Sequence, residues 1–214
     1  QTICKKAHQL GLLTSAHVES TEGVKAALRN GVDSIEHGAK PDQEMIDLFK
    51  EKKAFLITTL SPALPFALFD PSVSKVDDTQ LFNGKMVFDG IVECSKAALE
   101  NHIPVGLGND VGCPWITQYD FYRELVYFHK YVGVTNGFAL YTATLQNAIL
   151  AGISDVTGSI DAGKQADMIV VKENPLEDLN ALKNIDLVFT KGKMVHPKIK
   201  RDKEIEKRLD AFYK

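Results

Sequence analysis

Three side chains in this 214-residue sequence are suited to holding a metal ion or moving a proton, and each closes an apolar, strand-like run. His17 lies in the run 12–18, His37 in 32–38, and Asp110 ends 103–110. Neutral imidazoles suit zinc and similar borderline ions, while a carboxylate adds charge and a proton acceptor. A divalent ion draws the pKa of a coordinated water towards neutrality. Asp110 is then a candidate to accept that proton as hydroxide attacks a carbonyl. The two histidines are 20 residues apart, about one strand–helix unit, which predicts adjacent strands. Each residue also has a plainer reading: a histidine serves equally as a satisfied core or loop residue, and an aspartate as a helix cap.

The elements that must position these groups follow a repeating rhythm. Ile3, Ala7 and Leu10 recur at helical spacing until Gly11 stops them. After the strand at 12–18, the cap-like cluster Ser20-Thr21-Glu22 leads into Val24, Ala27 and Leu28, and Gly31 ends that helix. Beyond the strand at 32–38, Pro41 opens a helix carrying Met45, Ile46, Leu48 and Phe49. A third strand is expected at 54–60. A helix marked by Val87, Ile91, Cys94 and Ala98 precedes the fourth strand, and helices at 118–131 and 138–151 follow it. This alternation predicts an α/β fold with a parallel sheet and right-handed crossovers, whose strand C-termini face the ligand. Residues 61–78, rich in Pro and Ser, are too long for an ordinary connection and predict a lid or substrate loop. After Gly152 the rhythm changes to short strands at 158–160, 166–171 and 186–190, with Lys191-Gly192 turning into 193–195. Residues 198–214 read as a charged helical tail whose mixed charges solvate its surface.

Composition removes several function classes. With 44% hydrophobic and 25% charged residues, the chain can bury a core, so disorder is excluded. A net charge of −3 and no basic block before the tail argue against nucleic acid as a partner. No apolar run approaches the roughly 18–20 residues of a membrane span. Cys4, Cys94 and Cys113 are odd in number and widely spaced, and read as reduced thiols of a cytoplasmic protein. Cys113 and Trp115, directly after Asp110, are candidates for a substrate pocket or for loop packing. Thr59, at the third strand's end, faces the site or is simply a strand former. His8, His102, His129 and His196 are isolated and read as surface or capping residues. Gly106-Leu-Gly108 lacks the third glycine and the lysine of nucleotide-binding loops.

The order of motifs resembles metal-dependent amidohydrolases, in the Xaa-Pro dipeptidase and imidazolonepropionase-like branch. The segments Ser15-Ala-His17-Val and Thr21 to Gly38, ending Ser-Ile-Glu-His37-Gly, resemble its fifth and sixth strands. Gly106-Leu-Gly-Asn-Asp110 resembles the eighth, with Asn109 where Thr is usual, and residues 142–148, 158–171, 174–178 and 188–195 resemble its C-terminal region. The resemblance implies the C-terminal half of a (β/α)8 TIM-type barrel over 1–152, part of a small β-sandwich over 153–197, and the tail. It implies one or two divalent metals, most often zinc. By motif position His17, His37 and Asp110 are metal ligands, with Asp110 also the proton shuttle. Cys113, Trp115 and Thr59 remain the substrate-side candidates. The family's first-strand His-x-His pair does not occur in this sequence, so the chain is expected to be a C-terminal fragment that is inactive alone and partnered by an N-terminal half or an oligomer mate. The expected function is hydrolysis of an amide, peptide-like or cyclic-amide C–N bond in a small-molecule or dipeptide-like substrate. The alternatives are a non-catalytic α/β binding domain and a scaffold half that assembles with a complementary chain.

Overall fold

In a computed structural model, residues 1–212 are described. Tyr213 and Lys214, the end of the expected tail, lie outside the described residues. Helix α1 (Thr2–Gln9) precedes three strand–helix units: β1 (Ser15–Val18) with α2 (Thr21–Arg29), β2 (Ser34–His37) with α3 (Gln43–Lys52), and β3 (Phe55–Thr58) with α4 (Leu60–Leu68). The short α5 (Pro71–Ser74) and the long α6 (Asp78–Glu100) lead to β4 (Val105–Leu107). Helices α7 (Tyr122–Tyr127), α8 (Asn136–Tyr141) and α9 (Asn147–Leu150) follow, α7 and α8 each running on into a π-helical turn. The four strands form one parallel sheet in the order β1-β2-β3-β4, with Ser15 opposite Ser34 and His17 opposite Glu36.

Side chains alternate across a strand, so one face of the sheet packs on the helices. Ile35, Leu56, Val105 and Leu107 are buried there with Val24, Leu28, Phe49, Ile91 and Phe128. The helices begin where local chemistry directs. Ser20 accepts a hydrogen bond from the Gly23 amide, Asp42 accepts one from Met45 at 2.8 Å, and Asp77 and Gln80 form a reciprocal capping box.

The expected lid at 61–78 is instead mostly helix. In α4, Leu60, Ala63, Leu64 and Ala67 are all buried, and a helix enclosed on every side shows no amphipathic period. Pro62 occupies its first turn, where no intrahelical N–H is required. The helix lies so close to α6 that a Cβ on Gly84 would meet Phe66 at 2.5 Å.

A second, antiparallel sheet has the order β5-β6-β7, from β5 (Met168–Val171), β6 (Ile185–Thr190) and β7 (Lys193–Val195). The turn between the last two carries Lys191 at φ 51° and Gly192 at φ 75°, as a two-residue primed turn requires. Residues 158–160, expected as a strand, form no strand: 158 and 159 are bends and 160 is irregular. The last helix, α10 (Lys203–Phe212), does more than solvate its surface. Its Leu209 is 3% exposed, and Asp210 accepts hydrogen bonds from Arg123 at 2.8 Å and Lys183 at 2.6 Å. No described helix is long and apolar enough to cross a membrane. The three cysteines are unpaired thiols.

Candidate metal centre

The site forms at the C-terminal ends of the parallel strands. His17 lies on β1, and His37 is the last residue of β2. Strict alternation would send His37 to the helix side, away from the face shared by His17 and Glu36. Its backbone is left-handed instead, at φ 70°, and the rings of His17 and His37 meet edge to face with centroids 4.6 Å apart. Gly38 makes this turn feasible. It sits at φ 87°, and any Cβ there would meet Cys94 Sγ at 2.9 Å and Leu56 Cδ1 at 3.0 Å.

Glu19, just past β1, joins the pair. One ligand atom from each of His17, Glu19 and His37 lies within 4.8 Å of the others. Two imidazoles and a carboxylate are a donor set that fits a divalent ion of zinc's class. Burial holds the His37 pKa below the usual histidine range, helped by the nearby His17 and opposed by the charges of Glu19 and Asp110. His37 is therefore kept neutral, the form in which imidazole ligates metals. Its Nδ1 is hydrogen-bonded to the hydroxyl of Thr59, which is 2% exposed. With Nδ1 engaged, Nε2 is the nitrogen left for an ion, an arrangement typical of outer-sphere support.

Asp110 stands three residues beyond β4, at φ 49°. It lies outside the compact cluster of His17, Glu19 and His37, yet its charge acts on both His37 and Glu36. Glu36 is half-buried beneath them. Burial raises its pKa and the Asp110 charge adds to the rise, while hydrogen bonds from Ser15 and Ser34 oppose it. The Cys113 thiol donates to Asp110 Oδ2 at 3.2 Å, and burial with this contact pushes it up to about 11. Trp115 stacks edge-on against Phe69 at 5.5 Å and carries the Arg208 guanidinium over its ring at 5.5 Å. Thr59 links both sides of the site: its hydroxyl is on His37, and a Cβ on Gly108 of the neighbouring strand end would meet its methyl at 3.2 Å.

Sequence reasoning singled out His17, His37, Asp110, Cys113, Trp115 and Thr59 but passed over Glu19 and Glu36. The spacing of residues 17 and 19 was a usable signal, because residues two apart in an extended chain share a face.

Comparison with known proteins adds to this geometry. Residues 1–195 match the model of the amidohydrolase family. Ochratoxinase of Aspergillus niger is 28% identical over 199 residues, covering 91% of this chain and 40% of the relative. Among solved structures, a prolidase-like protein from Bifidobacterium longum is 40% identical with a TM-score of 0.95, over 99% of this chain and 54% of that one. A Xaa-Pro dipeptidase with methionine in its active site is 31% identical with a TM-score of 0.79, over 90% and 47%. The chain thus spans about half the length of the relatives it matches. By its motifs and the family match over most of its length, the chain belongs to the amidohydrolase family.

Proposed function

We propose that this chain carries part of the active site of a metal-dependent hydrolase acting on an amide, peptide-like or cyclic-amide C–N bond. The observation that carries the reading is the convergence of His17, Glu19 and His37 within 4.8 Å at neighbouring strand ends. The named activities of the relatives, prolidase, Xaa-Pro dipeptidase and ochratoxinase, support the substrate class. In this reading β1 to β4 are strands five to eight of a (β/α)8 barrel within residues 1–152. The second sheet is part of a β-sandwich over 153–197, and 198–214 form the tail.

His17 and His37 would hold the ion, with Glu19 and Asp110 as the carboxylates available to it. A bound divalent ion such as zinc, which these donors suit, would supply Lewis acidity at the scissile carbonyl. Asp110 accepts a proton from the attacking water and returns it to the leaving nitrogen, so that neither hydroxide nor amide anion must exist free. The buried hydroxyl of Thr59 keeps His37 in the ligating tautomer. Cys113 and Trp115, on the loop leaving Asp110, form a wall of the substrate pocket.

The test begins with zinc. The wild-type chain should bind zinc by titration, and the His17→Ala, His37→Ala double variant should lose it. In an active preparation, Asp110→Asn should cut turnover by about a hundredfold or more while retaining most of the metal. Near-normal turnover in that variant overturns the assignment of Asp110. A wild-type chain that binds no zinc, with unchanged melting in the double variant, would favour a non-catalytic binding domain.

A further inference from the structure

We infer that Glu124 is a positioning residue for this centre, acting through the first turn of α4 and Thr59 on the imidazole of His37. The inference rests on the metal-site reading above. Glu124 belongs to α7 and is 0% exposed. Its Oε1 accepts from the Leu60 amide at 2.6 Å, and its Oε2 accepts from the Ser61 amide at 2.8 Å and from the Ser61 hydroxyl. The first turn of a helix leaves its amides without intrahelical partners. In α4 the first two helical residues are Leu60 and Ser61, and the third, Pro62, has no N–H. Glu124 therefore takes both of the helical-turn donors on offer, with its negative charge at the positive end of the helix dipole.

That frees the residue whose ordinary task this would be. Thr59 is the N-cap of α4, and threonine at an N-cap normally accepts from the second or third helical amide. Here its side chain makes no capping bond and is spent on His37 Nδ1 instead. Without the carboxylate, the Ser61 amide would stay buried and lose its partner. The N-cap hydroxyl of Thr59 is the side chain that would then be drawn towards that amide, away from the imidazole. Glu124 thereby releases Thr59 to orient a ligand, although it touches neither the ion site nor His37. A merely structural clamp would stabilise α4 and leave the imidazole alone.

The experiment compares wild type, Glu124→Gln, Thr59→Val and the double variant at pH 8. One readout is the ring-nitrogen NMR signals of His37 in the metal-free protein, and the other is the zinc dissociation constant. A glutamine offers one acceptor where three donors converge. Glu124→Gln should therefore shift the His37 ring signals and weaken zinc binding by about tenfold, the scale of outer-sphere losses at metal sites. Thr59→Val should do the same, and adding Glu124→Gln to it should change affinity less than about twofold, because both act through one hydroxyl. Unmoved His37 signals in Glu124→Gln, or losses that multiply in full, overturn the inference. Should Glu124→Gln unfold, Glu124→Asp, which keeps the charge one methylene short, must move the same signals in the same direction; if it does not, the inference fails. A wild-type chain without zinc affinity would refute the metal reading alone, since the ring-nitrogen comparison still decides the role of Glu124.

Discussion

A carboxylate enclosed by protein and approached by three donors couples folding to pH in a way that surface acids do not. Burial pushes the Glu124 carboxyl up to about 7, against the pull of Ser61 and the Leu60 amide. Its folded pKa thus exceeds the unfolded value near 4.5, so the folded state binds the extra proton between the two. Stability from this group is greatest below pH 4.5 and is lost as pH rises towards 7. Relative to Glu124→Gln, which cannot titrate there, wild type should lose on the order of 3 kcal/mol across that window. Urea unfolding of both proteins at pH 4.5 and 7.5 measures the difference, and parallel pH curves would refute it. The sequence offers no sign of this clamp, because Glu124 and Ser61 are 63 residues apart and meet only through packing. The meeting of His17 and His37 was legible because each closes a strand-like run, but Asp110, picked by the same signal, stands outside their cluster. Glu19 was recoverable from its spacing to His17, whereas the left-handed backbone that turns His37 towards it was not.

Elements reveal themselves in sequence when one face is wet and one is dry. The helices α2, α3 and α6 could be read that way, the parallel strands instead by short apolar runs, and glycines and caps bounded them. Helix α4 was not legible because it is buried all round, so its Pro and Ser content resembled a loop. Strand β4 hides a different device. The Gly108 amide of its end donates to Thr58 on β3, while the Leu107 backbone, which alternation turns the other way, meets Asn147 of α9. Asn147 Oδ1 accepts from the Leu107 amide and its Nδ2 donates to the Leu107 carbonyl, both at 2.9 Å. One side-chain amide thus stands in for a neighbouring strand at that residue. Its contact is tight, since a Cβ on Gly106 would meet Asn147 Oδ1 at 2.7 Å. Asn147→Ala should cost about 2 kcal/mol for two lost hydrogen bonds, read by denaturant unfolding. The Leu107 amide should exchange with deuterium much faster in the variant. Unchanged protection at Leu107 would mean that the amide is held by something else.

At the scale of the whole molecule, the two flanks of the sheet differ. Strands β2 to β4 are largely buried, but β1 alternates exposed and half-buried, with Ser15 and His17 open to solvent. The segment leading into it exposes Leu10, Leu12 and Leu13 by 62%, 58% and 60%. Parallel sheets are ordinarily covered on both faces, so the open β1 flank that bears His17 needs further structure against it before the proposed site can exclude water from a substrate. The relatives are about twice as long as this chain, and in the half-barrel reading their additional strands would close that face. The functional consequence separates binding from turnover. His17 and His37 are already positioned by β1, β2 and Thr59, so the chain by itself should take up zinc. In the proposed reading, orienting an amide against Asp110 would need walls on the open side, and misplacement by about 1 Å can cost a hundredfold in rate. The chain alone should therefore hydrolyse an Xaa-Pro dipeptide or an N-acyl amino acid at least about a hundredfold more slowly than the same chain mixed with a protein supplying the first four strands of a relative's barrel. Size-exclusion chromatography should find the pair as one stoichiometric complex. Equal rates with and without that protein would place a complete catalytic site within these 214 residues, and a complex that forms without any gain in rate would reduce the chain to a scaffold.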